Sequence, residues 1–249
     1  MHLFEILIVL HVITGLTGLI AFWVPIIARK GAVNHRRWGR ICAYGFIGAG
    51  ALAVIMALIS LYGPETRIPS ITDRMLFDGL FGWMMLYLGL LTIGFADYGL
   101  AVVKHSRNRE ALRGARYQVV IGGVLASAAY CFWYGFQIGE ALMMAVAILG
   151  IVAMGIQQLY IWRSHPPTRQ SYVGEHFRAL IGMGISAYTA FMSVGLIRYI
   201  PEHVFNPLVW ALPSTVGVAL IIGFSLRARR RAKNIESPDK SAKIQPTSA

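Results

Sequence analysis

Gly31-Ala32-Val33-Asn34-His35-Arg36-Arg37-Trp38-Gly39-Arg40 lies between two long apolar segments, with Arg29 and Lys30 just upstream. It carries three arginines and a histidine. A loop of that charge crosses a bilayer only at high cost, so it fixes the direction in which the chain threads the membrane. Placed on the cytoplasmic side, it sets the side of every later segment.

The rest of the composition agrees with a membrane setting. Of the 249 residues, 56% are hydrophobic and only 14% are charged, and the mean hydropathy is +0.58. A soluble domain carries about 25% charged residues. The first apolar run, Leu3 to Ala28, is too long for a signal-peptide core and lacks a small-x-small cleavage site before the basic loop, so it reads as a retained helix. The net charge of +12 does not point to nucleic acid, because no nucleic-acid-binding signature accompanies it. The basic residues instead stand in short loops and a tail beside apolar spans, where they serve topology and anionic lipid head groups.

A membrane-crossing helix needs roughly 20 apolar residues at about 1.5 Å each. Seven segments qualify: about Leu3–Ala28, Ile41–Tyr62, Met75–Val103, Gln118–Phe136, Ala141–Trp162, Ala179–Ile200 and Pro207–Leu226. With the first loop inside, alternation puts all but Arg67, Arg74 and Arg198 of the 23 Lys and Arg residues on the cytoplasmic side. The expected fold is therefore all-α: a polytopic bundle of seven transmembrane helices, N-terminus out and C-terminus in. Residues 1–226 form one domain. Residues 227–249 read as a basic, disordered cytoplasmic tail. Gly63 to Ser70 reads as an external turn, Glu110–Arg113 as an interfacial helical turn, and Pro166-Pro167 as the end of the fifth helix. Cys42 and Cys131 fall at opposite faces, which excludes a disulfide between them. Gly15, Gly18, Gly45, Gly48, Gly122, Gly123, Gly182 and Gly184 permit close helix packing.

Ionisable groups inside spans are costly, so each marks a possible site. His11 lies about two turns into the first helix and shares a face with Thr14, Gly15 and Gly18. It can ligate haem or a metal, transfer protons, or simply hydrogen-bond a neighbouring helix. His176, at the inner start of the sixth helix, is the second candidate cofactor-binding residue, or else a solvated head-group residue. His35, Arg36, Arg37 and Arg40 read as lipid head-group contacts, with Asn34 capping the second helix. Asp97 lies within reach of Lys104. Asp78, Glu140 and Arg198, with Glu5 and His11, make a possible outer polar cluster. Gln157 and Gln158 diverge by about 100° and cannot face one partner. Tyr130, Phe132, Trp133, Tyr134 and Phe136 resemble an interfacial aromatic belt. There is no helix-7 lysine for a retinal Schiff base, and no H-E-x-x-H, Walker, Gly-x-Ser-x-Gly or C-x-x-C-H motif.

His11-Val12-Ile13-Thr14-Gly15, His35-Arg36-Arg37-Trp38-Gly39-Arg40, and His176 followed by Tyr188-Thr189-Ala190-Phe191 resemble a family of bacterial predicted membrane proteins, domain of unknown function 2306. The resemblance covers helices 1, 2 and 6, and its most specific part is the H-R-R-x-G-R stretch. It implies a small helical bundle in a bacterial inner membrane and brings no activity. The leading reading is a non-catalytic structural, assembly or lipid-contacting bundle. Its alternatives are a redox accessory protein that binds haem b or a quinone through His11, and a small-solute or proton transporter. His11 and His176 lie near opposite membrane faces, so one haem cannot join them.

Overall fold

A computed structural model describes residues 2–63, 73–195 and 207–236. Among these residues the regular structure is all helical, with no strand. The long helices are α1 (His2–Ile27), α2 (Val33–Tyr62), α3 (Arg74–Lys104), α4 (Ala115–Ile138), α5 (Ala141–Ile161), α6 (Arg169–Ala190) and α7 (Pro207–Glu236). A 3-10 turn, Arg109–Arg113, joins α3 to α4 where the sequence predicts one. Among the described residues, six helices, all but α6, are long and apolar enough to cross a membrane. The sixth predicted segment, 179–200, is described as far as Gly195, with Phe191–Gly195 as a π-helical turn.

Three helices run further into charged sequence than hydropathy suggests. α2 begins at Val33, so most of the basic stretch is its first two turns and the true loop is only about Ala28 to Ala32. At 30 residues α2 is about 45 Å long, against a hydrocarbon core of about 30 Å. Its charged start therefore extends beyond the apolar span. Asn34 does not cap it: the N-cap is Ala32, with no side-chain bond. α6 starts at Arg169 behind a capping box in which Thr168 and Ser171 exchange hydrogen bonds. α7 continues to Glu236, through the beginning of the stretch expected to be disordered. Arg and Lys are good helix formers, and neither Gly nor Pro interrupts 224–236. α5 ends at Ile161, ahead of Pro166-Pro167. The expected external turn at 64–70 and the tail beyond 236 lie outside the described residues.

α3 is the axis of the bundle. Two thirds (67%) of its most apolar window is buried, against at most 33% for any other spanning helix. α2, α4 and α6 pack against it, while α1 lies on α2, α5 on α4 and α7 on α6. Its start is irregular. Asp73 caps the first turn through Met75 N–H and Leu76 N–H, and Asp78–Met84 then forms a π-helical segment that the apolar pattern does not reveal.

The tightest approach to α3 is made by backbone. A Cβ on Gly89 would stand 2.8 Å from the Gly50 carbonyl oxygen, and one on Gly50 would stand 2.8 Å from that of Gly89. α2 and α3 can cross this closely only with glycine on both sides. Between α1 and α2 a Cβ on Gly45 would stand 3.0 Å from the Gly18 nitrogen and the Thr14 carbonyl oxygen, and one on Gly18 would strike the Phe46 ring, so both glycines serve close packing as the sequence suggests. Gly122 and Gly123 do not: nothing lies within 4 Å of a Cβ at either position. The pair sits on an open face of α4, which sequence spacing cannot tell from a packed one.

Gly89→Ala should force α2 and α3 apart and lower the melting temperature in detergent, by an amount equivalent to about 1–3 kcal/mol. Gly122→Ala should leave it unchanged or slightly raised. Thermal unfolding of both variants checks the pair.

Candidate functional site

The chemistry concentrates at the end of the bundle where α1 finishes and α2 begins. The last carbonyls of α1 have no partner within their own helix. Gly31, in the left-handed region at φ +80°, turns the chain back. Lys30 Nζ then donates to the carbonyls of Pro25 (2.7 Å) and Ile26 (2.6 Å). His35 Nδ1–H donates to the same Pro25 carbonyl at 3.0 Å. Burial, and next the charge of Arg227 on α7, lower the Lys30 pKa below the usual lysine value.

His35 is half-buried and differs in setting from the arginines that follow it. Its ring stands 6.3 Å, centre to centre, from that of His176 on α6, at 66°. His176 Nδ1–H donates to the Gly99 carbonyl of α3 at 2.7 Å. Both imidazoles thus spend Nδ1 on a backbone carbonyl. Neither Nε2 has a hydrogen-bond partner among the described residues.

Next to His176, Glu175 is buried, with its carboxylate shared by the Tyr98 hydroxyl (3.0 Å) and the Arg178 guanidinium. Asp97 pairs with Arg116 of α4 at 2.5 Å and not with Lys104, a partner expected from sequence nearness alone. Gln157 is buried while the adjacent Gln158 bonds Gln118 and Trp162, so the two diverge as expected.

The basic residues fall into two groups. Arg109, Arg113 and Arg116, after α3, are used inside the protein. Arg109, 7% exposed, donates to the carbonyls of Arg163 (2.5 Å) and His165 and lies over the Tyr160 ring. Arg113 reaches the Ile161 carbonyl and lies over Trp162. Arg36, Arg37 and Arg40, by contrast, are exposed and have no carboxylate partner among the described residues.

The remaining candidates stand apart. His11 Nδ1–H donates to the Ala49 carbonyl of α2 at 2.9 Å. From His11 to Pro25, whose carbonyl holds His35, is about 21 Å along α1. The structure therefore joins His176 to His35, not to His11. Asp78 pairs with Arg74 at 3.4 Å. Glu140 is the N-cap of α5, accepting from Leu142 N–H at 3.4 Å. Arg198 lies outside the described residues. Tyr130, Trp133 and Phe136 are exposed, while Tyr134 donates to the Met75 carbonyl at 3.2 Å.

No protein-family model, curated protein or solved structure matches this chain.

Arg109→Ala should destabilise the protein by about 1–3 kcal/mol, because it strands the His165 carbonyl and leaves the Arg163 carbonyl only the longer bond from Arg113. Arg36→Gln, Arg37→Gln and Arg40→Gln should each leave the melting temperature within the scatter of surface substitutions. Thermal unfolding in one detergent separates the two groups.

Proposed function

We propose that the chain is a seven-span protein of a bacterial inner membrane, and that its business is contact with lipids and neighbouring proteins, not catalysis. α6 together with the Phe191–Gly195 turn supplies the seventh span. The N-terminus is outside and the C-terminus inside, so that the basic ends of α1, α2, α6 and α7 meet the cytoplasmic leaflet. The resemblance of the H-R-R-x-G-R stretch to bacterial predicted membrane proteins belongs to this reading.

One observation carries it. Arg36, Arg37 and Arg40 stand exposed on a helix that outruns the apolar span, with no carboxylate partner among the described residues. Guanidinium groups bind phosphate with paired hydrogen bonds. Basic groups at a membrane surface contribute about 1 kcal/mol each toward anionic lipid. Arg109, Arg113 and Arg116 have protein partners instead and are not assigned this role.

The triple variant R36Q/R37Q/R40Q should keep its melting temperature but retain less phosphatidylglycerol and cardiolipin after purification, counted by native mass spectrometry. Equal retention of anionic lipid would contradict the reading. Reporter fusions after Glu236 should report a cytoplasmic C-terminus; a periplasmic signal would reverse the topology.

A further inference from the structure

We propose that the groove at the end of α5 is a binding site for one anionic phospholipid, with its phosphate on Arg163 and the start of an acyl chain along Leu159 and Gly155. This rests on the membrane and lipid-contacting reading above, but it concerns a different face of the protein, so either can fail alone.

The groove has a volume of about 410 Å³ and is lined by Gly155, Gln158, Leu159, Trp162 and Arg163. It is open to the surroundings, not enclosed. That shape suits a ligand whose remainder stays in the bilayer, and not a solute that must be surrounded by protein. Its floor exists because Gly155 has no side chain. Glycine weakens a helix interior, and here no neighbouring helix requires it, since nothing lies within 4 Å of a Cβ at that position.

Polarity along the groove follows the order of a phospholipid. With 21 residues, α5 is about 31 Å long, the thickness of a typical hydrocarbon core. Trp162 and Arg163 come directly after its last residue, at head-group level, where Trp is enriched. Gly155 is about 10 Å deeper along the axis. Gln158 stands between them. Its Oε1 accepts from Trp162 Nε1 at 3.0 Å, and its Nε2 donates to Gln118 of α4 at 2.8 Å. A primary amide has two N–H donors, so Gln158 keeps one for an ester carbonyl of a lipid.

The head-group end is held in place by the protein itself. The Arg113 guanidinium lies 5.1 Å from the centre of the Trp162 ring, over its face. The Arg163 carbonyl accepts from Arg109 and Arg113. The Arg163 guanidinium, by contrast, is exposed and makes no hydrogen bond or ion pair among the described residues. The acids on this side already have partners. Glu175, which feels the charge of Arg163, is held by Tyr98 and Arg178, and Glu110 pairs with Arg113 at 3.7 Å. A guanidinium binds phosphate through paired hydrogen bonds. A phosphatidylglycerol supplies that phosphate without a second charge, whereas a choline head group adds a cation that Arg163 repels.

The test uses the full-length protein in phosphatidylcholine nanodiscs doped with a phosphatidylglycerol that carries a photoactivatable group on its acyl chain, next to the glycerol. Adducts are mapped by peptide mass spectrometry. Wild type should be labelled within 155–163. Gly155→Leu places a side chain in the groove and should lose most of that labelling while keeping its melting temperature. Arg163→Gln should be labelled about fivefold less, the effect of one basic group at a membrane surface. A phosphatidylcholine carrying the same photoactivatable group should label wild type more weakly than the phosphatidylglycerol does. R36Q/R37Q/R40Q should be labelled within 155–163 as wild type is, which separates this site from the arginines of α2. Wild type without adducts in 155–163 would overturn the proposal, including the case in which a second copy of the chain covers the groove. Equal labelling of wild type and Gly155→Leu would overturn it in favour of contact with bulk lipid, and equal labelling by the two lipids would overturn the head-group assignment. Adducts confined to 29–40 would overturn the groove and leave the lipid reading of α2 standing.

Discussion

The last turn of a helix leaves carbonyls that nothing in the helix can satisfy. At the end of α1 this chain meets that demand with Lys30 and His35. Much of the architecture follows from the arrangement. Lys30 must fold back, so the connection is short and turns at Gly31. His35 must reach Pro25, so α2 starts early and its basic residues become helical. The ring of His35 then meets His176, and His176 holds a carbonyl of the central helix. A short series of hydrogen bonds and one ring contact thereby ties α1, α2, α6 and α3 together at one end.

Away from that end the bundle is held by different means. Lipid supplies little hydrophobic drive between helices, so packing depends on how closely backbones approach. Gly50 against Gly89 and Gly18 against Gly45 provide that approach on either side of α2. Side-chain bonds add direction: Thr92 of α3 meets Ser186 of α6 at 2.8 Å. Trp23 of α1 donates to the Tyr188 hydroxyl, which in turn donates to the Leu19 carbonyl. Each of these polar groups is satisfied within the protein, as an apolar surrounding requires.

The number and order of the described helices were legible because a run of some 20 apolar residues has few alternatives in a basic, hydrophobic chain. Their ends were less so. Hydropathy drops where Arg36, Arg37, Arg178 and Arg227 begin, yet the backbone continues helical through all of them. The π-helical start of α3 left no periodic trace. At the site, His35 and His176 both stood on the predicted cytoplasmic side, and depth alone could have suggested the pairing. Attention to intramembrane position favoured His11 instead, and only the packing of α2 beside α6 brings the two rings together. Asp97 teaches the same lesson. Its nearest cation in sequence is Lys104, but α4 presents Arg116 to it.

The central claim is that the basic ends of α2 and α6 meet through positions 35 and 176. Chemical cross-linking in native membranes tests it directly. With the buried Cys42 and Cys131 replaced by alanine, H35C/H176C should be joined by a short bifunctional thiol reagent, and H11C/H176C should not. Failure to join 35 to 176, or efficient joining of 11 to 176, would contradict the account.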